Sequence, residues 1–108
     1  MALAEVIGGS QTATISTEHT LTTQTTANTY VLVVDLLNLA NGDVVELRLK
    51  TKTRTGQASQ QAYYARFAHV QEDDNVYSVP VPANIEIVAT LKQTAGTGRV
   101  FVWALLSL

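Results

Sequence analysis

The chain contains no cysteine, and its 108 residues include only two prolines, six glycines and 15 % charged side chains. Without cysteine there is neither a disulfide framework nor a thiolate metal site, and cysteine usage says nothing about the redox compartment. The charged fraction falls well below the roughly 25 % of an average soluble domain, so the surface must expose much neutral polar and apolar area. Such a surface suits a protein that spends its life against other proteins. An excess of positive charge is lacking too. A net charge of −2 and a pI near 5.5 argue against a dedicated nucleic-acid binder, whose domain pI normally lies above about 9. Apolar runs are cut every few residues by polar ones, far short of the roughly 18 needed to span a bilayer. Met1 to Gly9 has neither the basic start nor the long apolar run of a secretory signal. The expectation is a soluble single domain, made in the cytoplasm, with no membrane partner and no cofactor.

What the chain does contain is period-2 hydrophobicity. The last twenty-five residues, Asn84 to Leu108, read as two long strands joined by a tight Gly96-Thr97-Gly98 turn, a closing hairpin. Ile85, Ile87, Ala89 and Leu91 point one way, and Glu86, Thr90 and Lys92 the other. The second strand is apolar on both faces, with Phe101, Trp103 and Leu105 on one and Val100, Val102, Ala104, Leu106 and Leu108 on the other. It therefore belongs in the middle of a sheet, or at an edge that another subunit covers.

Upstream, Thr12 to Thr29 holds nine threonines in eighteen residues, a β-branched composition that disfavours helix. It reads as a strand over Gln11 to Glu18 and a looser connection through Thr22 to Asn28. Tyr30 to Val34 is a short valine-rich run, hence a buried strand, and Ala40-Asn41-Gly42-Asp43 is a turn. Val45, Leu47 and Leu49 then alternate with Glu46, Arg48, Lys50, Lys52 and Arg54, and the inward row continues through Thr51, Thr53 and Thr55. Ala62 to Val70 resumes the alternation, with Tyr63, Ala65 and Phe67 opposite Tyr64 and Arg66. Pro80 and Pro82 confine Val76 to Val81 to a sheet edge. Six to eight strands, few helix signals and no repeat predict an all-β fold, an antiparallel β-sandwich of jelly-roll or Ig-like type over residues 10–108. Residues 1–9, with their paired glycines, read as a flexible arm.

No catalytic constellation is visible. His19 and His69 have no partner at metal-ligand spacing. Glu72-Asp73-Asp74-Asn75 lacks the alternating spacing and glycine of a calcium loop and reads as a solvated turn. Gly96-Thr97-Gly98-Arg99 opens no helix, so it is no phosphate cradle. The expectation is a protein that is not an enzyme and holds no metal. Three surfaces are candidates for partners instead. Arg48, Lys50, Lys52 and Arg54 occupy alternate positions, a row of positive charges about 7 Å apart that either docks an acidic partner or is a plain solvated face. The arm residues Ala2, Leu3, Ala4, Glu5, Val6 and Ile7 can lie on a neighbour. Val100, Val102, Leu106 and Leu108 form an apolar row suited to an oligomer interface.

Asp35-Leu-Leu-Asn-Leu-Ala-Asn-Gly-Asp43 with the following Val-Val-Glu-Leu-Arg-Leu, and Leu91-Lys-Gln-Thr-Ala-Gly-Thr-Gly-Arg99 with Phe101 and Trp103, resemble segments of small β-rich virion proteins of tailed bacteriophages. The similarity runs from Ile15 onward and rests on residues that shape the fold. It implies a head decoration, cement or minor capsid protein, commonly a trimer, whose partners are its own copies and the major capsid protein. Its place would be the virion, after synthesis in the host cytoplasm. A tail component would have the same composition. A small carbohydrate-binding sandwich, with Tyr63 or Tyr64 as a stacking platform, is the reading from another class.

Overall fold

The computed structural model describes residues 3–108 as nine strands without a helix. They are β1 (Ala4–Thr12), β2 (Glu18–Gln24), β3 (Asn28–Asp35), β4 (Val44–Thr51), β5 (Gln60–Ala68), β6 (Asn75–Tyr77), β7 (Val81–Ala83), β8 (Ile87–Ala95) and β9 (Val100–Ser107). Sheet A has the order β1-β9-β3-β6, with β7 also paired to β3, and sheet B the order β2-β8-β4-β5; every pairing is antiparallel. The two sheets pack face to face as a β-sandwich, as the alternation predicts.

The core is built from the inward rows. Val45, Leu47 and Leu49 of β4 and Ile87, Ala89 and Leu91 of β8 meet Tyr30, Leu32 and Val34 of β3 and Phe101, Trp103 and Leu105 of β9. Tyr63, Ala65 and Phe67 of β5 lie opposite Leu49, Leu47 and Val45, which puts them on the inward side of sheet B. β9 sits in the middle of its sheet, between β1 and β3.

Five expectations need correction. β8 and β9 do not form a hairpin: they lie in different sheets, and Gly96 to Arg99 arches over the end of the sandwich. Only β4 and β5 are consecutive strands that pair with each other. Residues 4–9 of the expected arm belong to β1, held by its ladder to β9 from Ala4↔Ser107 to Thr12↔Val100 with one bulge; Ala2 lies outside the described residues. Gly8 and Gly9 serve that approach, since a Cβ on Gly8 would come 3.0 Å from the carbonyl oxygen of Trp103. The strand expected over Gln11 to Glu18 is instead the end of β1, a connection over residues 13–17 and the start of β2, which takes in Thr22 to Gln24 of the expected loose connection; in the connection Ser16 has a left-handed φ of 66° and its N–H donates to the Gln93 carbonyl at 2.7 Å. β4 stops at Thr51, so its inward threonine row does not continue. The strand total exceeds the expected range because β1 is ordered and the edge around Pro80 splits into β6 and β7.

Candidate functional site

The outer face of sheet B carries the row of positive charge. Arg48 and Lys50 lie on it, since their neighbours Leu47 and Leu49 are buried, but Lys52 and Arg54 lie beyond the end of β4. Three of the four meet carboxylates: Arg48 Nη2 is 2.9 Å from Glu46, Lys50 Nζ 2.7 Å from Glu18, and Lys52 Nζ 3.8 Å from Glu86. Arg48 also donates to Gln61 at 3.0 Å and covers the Tyr64 ring 4.9 Å from its centroid. The row is thus interleaved with acids from β2, from β4 itself and from the lead-in to β8. Sequence spacing showed the cations and not the acids that register brings beside them. Reversing Lys50 or Lys52 would break these pairs as well as any docking. Tyr64 donates its hydroxyl to Glu46 at 2.9 Å beneath Arg48, while Tyr63 packs against the core, so neither ring is a free platform.

Sheet A presents a different outer face. Cross-strand register sets Gly8, Ala104, Val33 and Tyr77 in one row and Ser10, Val102, Asp35 and Asn75 in the next. The small side chains of the first row make the floor of a groove of about 530 Å3 across β1, β9, β3 and β6. The Glu5 carboxylate folds over Gly8, within 3.3 Å of where a Cβ would lie. Val102 is 55 % and Tyr77 60 % exposed, and Val100 and Leu108 extend the apolar surface at either end of β9. Of the predicted interface residues, Val100, Val102, Leu106 and Leu108 all follow this one strand face. Within one chain only the inward row of β9 is covered, although the sequence expects cover on both sides. Leu3, Val6 and Ile7 of the expected arm add exposed apolar side chains at the β1 edge.

A third feature was missed by spacing arguments. Asp43, 1 % exposed, is the hub of a buried polar clamp at the arch. Its Oδ2 accepts from Arg99 Nε at 2.7 Å and from the Ala40 N–H at 3.0 Å, and its Oδ1 from the Thr97 N–H at 3.2 Å. Gln93, wholly buried, accepts from the Arg99 N–H at 3.0 Å and donates to the carbonyls of Ala95 and Thr97 at 3.0 and 2.7 Å. These bonds replace the ladder that a hairpin would have supplied. Burial pushes the Asp43 carboxyl up, but the Ala40 N–H, the Arg99 guanidinium and the Thr97 N–H outweigh it and hold it below its ordinary 3.8. The bonded Lys50 ammonium lowers Glu18; burial raises Glu46, but Tyr64 and Arg48 outweigh it, so both stay below 4.5.

Carboxyls lowered in the folded state stabilise it fully above their unfolded values, and that stability is lost as pH falls through the lower folded values. Urea midpoints are therefore expected to hold steady from pH 7 to about 5 and to fall below about pH 4, where the unfolded carboxyls bind protons first. The Asp43→Asn variant should start lower at pH 7 and fall less steeply. Parallel curves for the two proteins would show that Asp43 does not contribute to the acid response.

The histidines serve the backbone. His19 Nε2 accepts from the Thr14 N–H at 3.0 Å, and His69 Nδ1 from the Gly42 N–H at 2.9 Å. Among the described residues, no three His, Asp or Glu side chains gather as a metal site. The chain matches no known family, and searches of the curated proteins and of the solved structures gave no match.

Proposed function

We propose that this protein is a non-enzymatic virion structural protein of a tailed bacteriophage, which decorates and stabilises the outer surface of the capsid as an oligomer. The observation that carries the reading is the open face of sheet A, where Val102, Tyr77 and the ends of β9 leave apolar surface exposed on a small, charge-poor sandwich. Copies of itself and the major capsid protein are the partners that such a face suits. The sequence resemblance adds support from an independent side. Its two most recognisable pieces are the Gly42-Asp43 turn and the segment expected as the closing hairpin, which meet at the Asp43 clamp through Thr97 and Arg99. A tail component would share these properties. The glycan-binding alternative has weaker support, because Tyr63 and Tyr64 are both occupied.

Co-sedimentation with tailed-phage capsids lacking decoration tests the proposal. The wild-type protein is expected to pellet with capsids at micromolar concentration. Val102→Glu, which places a charge on the open face without touching the core, should dissociate the oligomer and reduce retention tenfold or more as multivalency is lost. Wild-type protein remaining in the supernatant would sink the reading.

A further inference from the structure

Charge is divided unequally between the two sheets. The strands of sheet A carry Glu5 and Asp35 and no lysine or arginine, and the Glu72–Asp74 run leads directly into β6. The strands of sheet B carry Arg48, Lys50, Arg66 and Lys92 against Glu18 and Glu46. Arg48 and Lys50 are taken up by those acids. Arg66 and Lys92 make no ion pair among the described residues, and of the two only Arg66 is exposed, on edge strand β5 and opposite Glu46 in register.

The groove on sheet A is the complementary shape and charge. Glu5 on β1 and Asp35 on β3 lie on strands separated by β9, about 10 Å apart across the sheet, and face Leu106 and Val102, four residues apart along β9; the Glu5 carboxylate reaches back over Gly8 toward the small-residue floor. The exposed Tyr77 closes one end of that floor. Two carboxylates and an aromatic ring, with no cation in the lining, are the surroundings that a planar guanidinium takes best.

We propose that this groove is the socket for Arg66 of a second copy of the chain, so that sheet A of one subunit docks head to tail against the β5 side of the next. The inference rests on the oligomeric reading above and specifies its contact. A two-fold contact of groove on groove would set the Glu5 and Asp35 carboxylates of both copies against each other, and like charges so placed oppose association. Two different patches instead make a heterologous contact, which closes as a ring such as a trimer when the rotation allows.

Sedimentation velocity across a salt series, on the full chain and on Glu5→Lys, Arg66→Glu and the double variant, tests this. Both side chains are exposed, and matching thermal melts confirm that the folds are equal. Wild-type association is expected to weaken as salt rises, each single reversal to raise the dissociation constant at least tenfold, and the double reversal to recover most of that loss. A monomeric wild type overturns the inference. So does association indifferent to Arg66→Glu, which would mean groove-to-groove contact or pairing of β1 edges, and so does a double variant that fails to recover. Capsid pelleting of the same samples separates the two proposals. A monomer that still pellets with capsids removes this contact and leaves attachment standing; an oligomer with the expected charge pattern that ignores capsids does the reverse.

Discussion

The Asp43→Ala variant is expected to lose about 3 kcal/mol of stability, with a fall in Tm of about 15 °C. The carboxylate is fully buried and accepts three hydrogen bonds, one from a guanidinium and two from backbone N–H groups of separate turns. Removing it leaves the Ala40 and Thr97 donors unmatched, at about 1–3 kcal/mol for each donor that water cannot reach. Arg99 softens the loss, because its side chain is one-third exposed and can turn to solvent. The figure therefore sits at the lower end of the range for breaking a buried ion pair. Against a typical total of about 5–15 kcal/mol, a loss of this size separates a folded protein from a marginal one at 37 °C. Denaturant unfolding at pH 7 measures it, and a change under about 1 kcal/mol would show that the clamp is not what holds the arch.

Gly96→Ala should cost at least as much, and Gly42→Ala provides the comparison. Both glycines have left-handed φ, 88° and 95°, so each alanine takes on the backbone strain of about 1 kcal/mol. At Gly42 nothing lies within 4 Å of the new methyl group. At Gly96 the methyl would meet the Asp43 Oδ1 and come within 2.8 Å of the Asp43 Cα. Because backbone stands in the way, relief requires the arch itself to move. Expected losses are about 1 kcal/mol for Gly42→Ala and about 3 kcal/mol or more for Gly96→Ala. Combined with Asp43→Ala, the Gly96→Ala variant loses the carboxylate contact but keeps the approach to the Asp43 Cα. In that pair the two losses should fall short of additive, because the residues touch. Equal costs at the two glycines would place the turn away from Asp43 and restore a hairpin.

The contrast between these glycines shows where sequence reading stops. A short apolar run located β3, and alternation located β4, β5 and β8, because each has one apolar row that must face a core; Val45, Leu47 and Leu49 are buried as that rule requires. The same alternation is obeyed by a hairpin and by an arch between sheets, since both turn an apolar row inward. Only pairing partners distinguish them. β1 was illegible for another reason: eight of its nine residues are exposed, so no buried row marks it, and its strand geometry comes from the β9 ladder. Asp43 reads as an ordinary turn residue until Thr97 and Arg99, more than fifty positions later, supply its bonds. The row of cations was legible from spacing, but Glu18 and Glu86 come from other parts of the chain.

The position of β9 governs the order in which the molecule can assemble. β1 and β3 are its two neighbours, yet they are made long before it and pair only through it. While residues 100–107 are still inside the ribosome, sheet A therefore has no centre, and the inward faces of Leu32, Val34, Leu91 and Ile87 have no Phe101 or Trp103 to close on. Six of the eight connections between successive strands also cross from one sheet to the other, so little native structure is local. Such topologies fold over milliseconds to seconds. The sandwich completes its core only once β9 has emerged, in a step that waits for this strand.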